Sequence, residues 1–133
     1  MTTREQDVRT WSMLCHISAL AGLLFSLGSL LGPLLAWQLK KNELPEIEEH
    51  GKESLNFQIT VILVSWILKF IFVPVIGAGL LFGGPFSAIG NGLGIGSVYL
   101  LVNLLGWILA VVAGIQANNG GFYRYPLCIR FIK

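Results

Sequence analysis

The sequence predicts an all-α integral membrane protein, a helical bundle with a kinked or re-entrant first hairpin followed by two full transmembrane helices. Apolar residues make up 54% of the 133 residues, only 12% are charged, and the mean hydropathy is +0.71. The apolar residues fall into three blocks, 13–39, 55–82 and 85–117, which together contain one formal charge, Lys69. Because about 20 apolar residues cross roughly 30 Å of hydrocarbon, each block could span a bilayer. The length allows one domain, residues 1–133.

Residues 1–10 form a polar N-terminal segment before the first block. Thr2 or Thr3 is predicted to cap a short helix there, with Glu5 or Gln6 three positions further on. The apolar stretch that follows is too long for a signal-peptide core and has no small-x-small cleavage pattern. We therefore expect the first block to be retained in the protein.

The first block, residues 11–39, is long for one straight helix and contains helix-weakening residues near its centre. Gly28 and Gly32 lower helix propensity, and Pro33 lacks the N–H needed for an intrahelical hydrogen bond. The sequence predicts a broken helix or hairpin, with short helices over 11–27 and 33–40 and a turn near residues 28–33.

The distribution of basic residues favours the hairpin. A single crossing of the first block would divide the eight basic residues outside the apolar blocks six against two, whereas a hairpin places all eight on one side. Basic residues favour the cytoplasmic side of a membrane, so we expect a multi-pass protein of the cytoplasmic (inner) membrane with both termini cytoplasmic. The expected segments after the hairpin are a cytoplasmic loop (40–53), a transmembrane helix kinked at Pro74 (54–82), a Gly-rich linker (83–94), a transmembrane helix (95–117) and a cytoplasmic tail (118–133).

Lys69 is the most unusual charge, since it lies near the middle of an apolar block that contains no Asp or Glu. A lysine at the bilayer centre costs roughly 2.5–3.5 kcal/mol on insertion scales. It is therefore a candidate functional residue, lining a polar cavity or meeting an acidic partner. The alternative is that its ammonium reaches towards the interface.

Further polar residues lie in or beside the apolar blocks. Interhelical hydrogen bonds are the ordinary role of such groups, and helix ends offer free backbone partners to Asn56 and Gln58. A histidine without a nearby carboxylate is weak evidence for proton transfer. Tyr123 and Tyr125 are predicted to anchor the tail at the headgroups. The candidate polar groups besides Lys69 are His16, His50, Asn56, Gln58 and Asn103.

Small residues recur at the four-residue spacing that lets membrane helices approach closely. Packing within the chain and oligomerisation both explain this pattern. The predicted packing residues are Ser18, Gly22, Ser26, Gly28, Gly32, Pro33, Gly106, Ala110 and Gly114.

Catalytic and cofactor motifs are missing from the sequence, so we expect neither enzymatic activity nor a bound cofactor or metal. Cys15 and Cys128 lie far apart in apolar surroundings and are expected to be free thiols. A net charge of +2 is too small to indicate a nucleic-acid partner. The expected partners are the lipid bilayer and either further copies of the chain or other membrane subunits.

Several short blocks together resemble a family of small bacterial multi-helix membrane proteins of uncharacterised function. More distantly, they resemble the twenty-kilodalton membrane component of the chloroplast inner-envelope protein translocon. The resemblance implies a helical membrane protein with cytoplasmic termini, and a role near protein translocation only by analogy of fold. Lys69 and the Gly-rich segment lie outside it. The blocks are residues 13–22, 31–34 with Trp37 and Lys40-Lys41, 50–58, 117–120 and 123–127.

Two functional hypotheses follow. The first is a non-enzymatic accessory or scaffold component of a membrane assembly, related to protein translocation through the chloroplast resemblance. The alternative is a small oligomeric transporter or channel, since broken helices often form binding sites at mid-membrane depth.

Overall fold

The computed structural model describes residues 1–25 and 27–133, and its regular structure within these ranges is entirely helical, which confirms the predicted all-α class. The chain divides into two compact units: unit 1 comprises Met1–Thr60 and Gly106–Lys133, and unit 2 comprises Val61–Leu105. The elements are α1 (Thr3–Ile17), a 3₁₀ segment (Ser18–Leu23), α2 (Gly28–Lys40), a 3₁₀ turn (Pro45–Ile47), α3 (Glu48–Phe82) and α4 (Gly84–Asn118).

Helix α1 begins with the predicted cap and includes most of the polar N-terminal segment. The Thr2 hydroxyl accepts a hydrogen bond from the Glu5 N–H (3.2 Å), and the Glu5 carboxylate accepts one from the Thr2 N–H (2.7 Å). These reciprocal bonds satisfy backbone donors that a helix start otherwise leaves unpaired. The helix continues to Ile17, so residues 1–10 are not a separate short helix.

The first block is broken, but the break does not lie where the sequence predicts it. Helix α1 gives way to the 3₁₀ segment at Ser18, and α2 begins at Gly28. Pro33 therefore lies inside α2 as its sixth residue and is fully buried, so the predicted turn at residues 28–33 is wrong. Helices of 15 and 13 residues are too short to span a bilayer, and α2 packs on both α1 and the 3₁₀ segment.

Glycines hold this hairpin together through close backbone contacts. A Cβ atom at Gly32 would lie 2.1 Å from the Ser18 carbonyl oxygen, and one at Gly28 would lie 2.2 Å from the Ala21 carbonyl oxygen. A Cβ at Gly22 would approach the Ser29 Cβ to 2.8 Å. The small residues of the first block are thus used for packing within the chain; Ser26 lies outside the described residues.

The second predicted stripe of small residues lies on the part of α4 that belongs to unit 1. Gly106, Ala110 and Gly114 are buried, and a Cβ at Gly114 would lie 2.5 Å from the Ile17 Cγ1 atom. Helix α4 therefore packs closely on the end of α1. It ends as predicted near Gly120, whose positive φ of 84° accompanies a hydrogen bond from the Gly121 N–H to the Gln116 carbonyl (2.9 Å).

Unit 2 contains the apolar helical segments on either side of Gly83. Helix α4 is already regular from Gly84, so the prediction of a Gly-rich linker over residues 83–94 is wrong. Each glycine disfavours a helix by about 1 kcal/mol, whereas an unpaired backbone group in hydrocarbon costs several kcal/mol. Hydrogen bonding within the helix therefore prevails. Helix α3 likewise continues through Pro74.

Two helical segments, Pro45–Phe82 and Gly84–Asn118, are long and apolar enough to cross a membrane. Large apolar side chains in unit 2 are strongly exposed, including Phe70, Phe82 and Phe86 at 85%, 89% and 91%. Such a surface is stable in lipid and unfavourable in water. This confirms two long helices with the length and hydropathy predicted for membrane spans. Helix α3 begins at Glu48, inside the predicted loop 40–53, and α4 begins eleven residues earlier than predicted.

The close approach at Gly32 gives a direct test of the hairpin. Gly32→Ala should lower the free energy of unfolding in detergent by about 1–3 kcal/mol, because the added methyl group collides with backbone. Gly94→Ala is the matched control, since a Cβ at Gly94 meets nothing within 4 Å; it should leave the stability unchanged or raise it by up to about 1 kcal/mol. Equal unfolding midpoints for Gly32→Ala and the parent in a denaturing-detergent titration would contradict this packing.

Candidate functional site

A buried polar cluster in unit 1 joins α1, the first turns of α3 and the C-terminal tail. Its α3 members recur every three or four residues, which places them on one face of the helix. The cluster consists of His16 from α1, His50, Glu53, Asn56 and Thr60 from α3, and Tyr125 and Arg130 from the tail.

Three side chains form a continuous hydrogen-bonded chain at the centre of the cluster. The Nδ1 atom of His16 lies 3.0 Å from the Tyr125 hydroxyl oxygen, and its Nε2 atom lies 3.1 Å from the His50 Nδ1 atom. His16 is fully buried, Tyr125 is 2% exposed, and the Tyr125 ring stacks on Phe57 with centroids 4.0 Å apart. The chain therefore runs from the half-buried His50 into the core of unit 1.

The geometry excludes two protonated imidazoles, and burial favours the neutral form of His16. If the Tyr125 hydroxyl donates to His16 Nδ1, then His16 Nε2–H donates to His50 Nδ1; the reverse order of donors also satisfies both bonds. A proton on every nitrogen would place two donors face to face between the histidines. Burial and the neighbouring His50 lower the pKa of His16 to about 3, and burial raises the pKa of the Tyr125 hydroxyl well above its usual range.

Glu53 fastens the tail to α3. Its carboxylate is 5% exposed and accepts hydrogen bonds from the Tyr125 backbone N–H (2.9 Å) and from the Arg130 guanidinium (2.9 and 3.2 Å). The guanidinium compensates the buried negative charge, and the bond to Tyr125 fixes the position of the tail.

Asn56 and Thr60 continue the same attachment. The Asn56 amide donates to the Ile132 carbonyl (2.9 Å) and accepts from the Ile132 N–H (2.8 Å), as a neighbouring β-strand would. The Thr60 hydroxyl accepts from the Ile129 N–H (3.0 Å) and donates to the Asn56 carbonyl (2.8 Å). These side chains satisfy backbone groups of a tail that has no regular secondary structure after residue 120.

The remaining predicted polar residues are less connected. Gln58 is 3% exposed, and its Nε2 atom has no partner among the described residues. Asn103 donates to the Tyr99 carbonyl of its own helix (2.9 Å). The prediction that Asn56 bonds backbone freed at a helix end is wrong, because it bonds the tail.

Lys69 belongs to unit 2 and lies apart from the cluster in sequence. Its ammonium is 4.9 Å from the centroid of the Tyr99 ring, which is a cation–π contact. The two residues border a groove of about 220 Å³ that is otherwise lined by apolar residues and glycine, including Phe72 and Gly96. The groove offers Lys69 an aromatic face in place of an acidic partner.

Sequence reasoning named both histidines but did not pair them, and it assigned Tyr125 wrongly to the headgroups. Tyr125 is instead a core residue, since its ring stacks on Phe57 and its hydroxyl is hydrogen-bonded to His16. The spacing of His50, Glu53 and Thr60, which places them on one face of a helix, is the sequence feature that points to a polar cluster there. The complementary residues of the irregular tail have no periodicity that identifies them.

Among the residues that the structure describes, no three His, Cys, Asp or Glu side chains are grouped so that they could bind a metal ion. Cys15 and Cys128 are free thiols. The cluster is thus a set of neutral and paired groups arranged for hydrogen bonding.

Residues 7–132, which extend from α1 to the end of the tail and include the whole cluster, match the model of the magnetosome magnetite crystal formation protein family, MamF/MmsF. The chain belongs to this family. The match supports the predicted membership of a family of small bacterial membrane proteins, and it gives no support to the chloroplast translocon resemblance. Neither the curated proteins nor the solved structures contain a match to the chain.

The neutral state of His16 predicts a stability that falls on acidification. The folded pKa of His16 lies below its ordinary value of 6.5, so the unfolded chain binds a proton that the folded chain does not. The free energy of unfolding should be constant above about pH 7.5 and decrease below pH 6.5 by up to about 1.4 kcal/mol per pH unit. Unfolding titrations in neutral detergent between pH 5 and 8 measure this.

The matched variant is His16→Gln, which keeps hydrogen-bonding capacity but cannot gain a proton. It should be less stable than the parent at pH 7.5 and should have a flatter pH dependence between pH 5 and 6.5. An identical slope in the parent and the variant would assign the acid sensitivity to other groups.

The pairing of Glu53 and Arg130 predicts a non-additive mutant cycle. Arg130→Gln should cost about 2–3 kcal/mol, because the buried Glu53 carboxylate loses its compensating charge. The double variant with Glu53→Gln should recover part of this loss. The unfolding free energies of the four proteins at pH 7.5 provide the coupling energy, and strict additivity would show that the ion pair does not hold the tail.

Proposed function

We propose that the protein is a non-enzymatic accessory or scaffold component of a membrane assembly, and that this assembly acts in magnetite crystal formation. The observation that carries the proposal is the use of the buried polar groups. His16, Glu53, Asn56, Thr60 and Tyr125 are bonded to one another or to tail backbone, so their hydrogen-bonding capacity maintains structure. The family description supplies the setting.

Three of the four exposed carboxylates between Glu43 and Glu49 are paired with basic side chains, which supports action through partners over direct binding of mineral. Glu43 pairs with Lys40, Glu46 with Arg4, and Glu48 with Lys52. A carboxylate paired with a basic side chain has to exchange that partner before it binds a mineral surface. We therefore assign the acidic segment before α3 to folding and partner contact.

We place the protein in the inner membrane with the residues before α3 and after α4 on the cytoplasmic side. Both segments belong to unit 1, and two spanning helices return the chain to the side from which it starts. Eight of the nine Lys and Arg residues belong to unit 1, and the positive-inside rule places such a region in the cytoplasm. The apolar surface of unit 2 then faces lipid or other membrane subunits.

The proposal is tested in a magnetosome-forming bacterium whose own family member has been removed. The chain is expressed at native level with a photoreactive residue at Asn42, an exposed loop position, or at Leu93, an exposed position of α4. We expect the magnetite crystal size distribution, measured by electron microscopy, to shift towards that of the intact strain. We also expect one of the two positions to cross-link a defined membrane protein.

The control is the purified chain in detergent, added to magnetite precipitating from solution. It should leave crystal size unchanged, because the proposed role requires partners. An unchanged crystal size distribution in the bacterium would contradict the proposed role in magnetite crystal formation. Two results together would contradict the accessory role: recovery of only a monomer in several mild detergents, and a change in crystal size caused by the purified chain. They would indicate direct action on the mineral.

A further inference from the structure

A cavity of about 400 Å³ lies in unit 1 between the first turns of α3 and the tail. Its wall is rich in ionic side chains, and positive charge predominates. The charged lining residues are Lys52, Arg124, Arg130, Lys133, Glu49 and Glu53.

The basic residues of this cavity are only partly neutralised. Arg130 is paired with Glu53, and Lys52 is paired with Glu48. Arg124 and Lys133 are exposed and form no ion pair with any residue that the structure describes. Two basic side chains therefore border the cavity with donors available to an anion, and Arg in particular presents a planar fork that suits phosphate oxygens.

The position of the cavity along α3 indicates its depth relative to a lipid bilayer. Its α3 residues, from Glu49 to Asn56, are at the end of a membrane-crossing segment where the charged residues give way to the apolar block. A spanning helix passes through the headgroup layer at this transition. The phosphates of lipids therefore lie at the level of the cavity.

The tail beside the cavity carries apolar side chains that a free anion would leave exposed to water. Leu127 is 95% exposed, Ile129 54% and Phe131 51%. Leu127 also has a φ of 54°, a left-handed conformation that costs a non-glycine residue roughly 1–2 kcal/mol. These apolar side chains are interspersed with Arg124, Arg130 and Lys133, and a segment that carries both kinds of side chain suits a membrane interface.

We propose that this cavity binds the phosphate of an anionic phospholipid headgroup. Arg124 and Lys133 contact the phosphate, and Leu127, Ile129 and Phe131 lie among the adjoining acyl chains. Inorganic phosphate and a phospholipid headgroup present the same oxyanion to the basic residues, but the apolar side chains of the tail fit only the lipid. The site is independent of the proposed role in crystal formation, because it requires only a bilayer.

The test measures lipid binding to the full chain in a mild neutral detergent by native mass spectrometry. Phosphatidylglycerol should remain bound to the parent, whereas phosphatidylcholine should be retained weakly. Arg124→Gln with Lys133→Gln should weaken phosphatidylglycerol binding about 30-fold, since each basic residue near an anionic surface contributes roughly a factor of five. Lys40→Gln with Lys41→Gln, which removes two charges from the end of α2, should bind like the parent.

Two further arms distinguish the source of the anion and verify folding. Inorganic phosphate at millimolar concentration should not displace phosphatidylglycerol; equal binding of free phosphate would overturn the lipid assignment. Leu127→Gly removes the apolar side chain while accepting the left-handed backbone, so it should remain folded and release the lipid more readily. Unchanged lipid binding in the Arg124 and Lys133 double variant would overturn the site itself.

Discussion

The irregular tail imposes the constraint on which unit 1 depends, because its backbone polar groups have no helix or sheet to pair with. A buried N–H or C=O left unpaired costs about as much as a lost hydrogen bond, and more where water is excluded. One face of α3 supplies the missing partners: Glu53 binds the Tyr125 N–H, Thr60 the Ile129 N–H, and Asn56 both backbone groups of Ile132. Loss of this face would release the tail and expose the cluster to solvent.

The attached tail in turn explains why two histidines can be close in a buried place. Tyr125 is held by Glu53 through its backbone, and its hydroxyl is thereby presented to His16. Helix α1 contributes His16 because Gly114 allows α4 to approach Ile17 and because the 3₁₀ segment that follows α1 packs along α2. The cluster therefore depends on the hairpin, the packing of α4 and the tail together, which makes its side chains stabilising elements of the fold.

Features that depend on local rules were predicted correctly from the sequence. The cap at Thr2 and Glu5, the end of α4 near Gly120 and the two long apolar helices follow from hydrogen bonding and hydropathy within a few residues. Pro33 and the glycines after Gly83 were misjudged because tertiary packing and the apolar environment outweigh helix propensity there. The tail contacts could not be predicted, since residues such as Glu53 and Tyr125 are 72 positions apart and share no pattern.

The distribution of charge links the structure to the proposed accessory role. Basic residues are concentrated in unit 1, and the acidic residues of the segment before α3 are largely paired with them. Ion pairs exposed to solvent add little stability. The Lys40–Glu43 and Glu48–Lys52 pairs are local in sequence, whereas Arg4–Glu46 links α1 to the turn before α3. Lys69 is the exception: it rests on Tyr99 in unit 2, where the sequence after Glu53 provides no carboxylate. The Tyr99 ring offsets part of the cost of a charge in an apolar segment, which explains how Lys69 is accommodated there without an acidic partner.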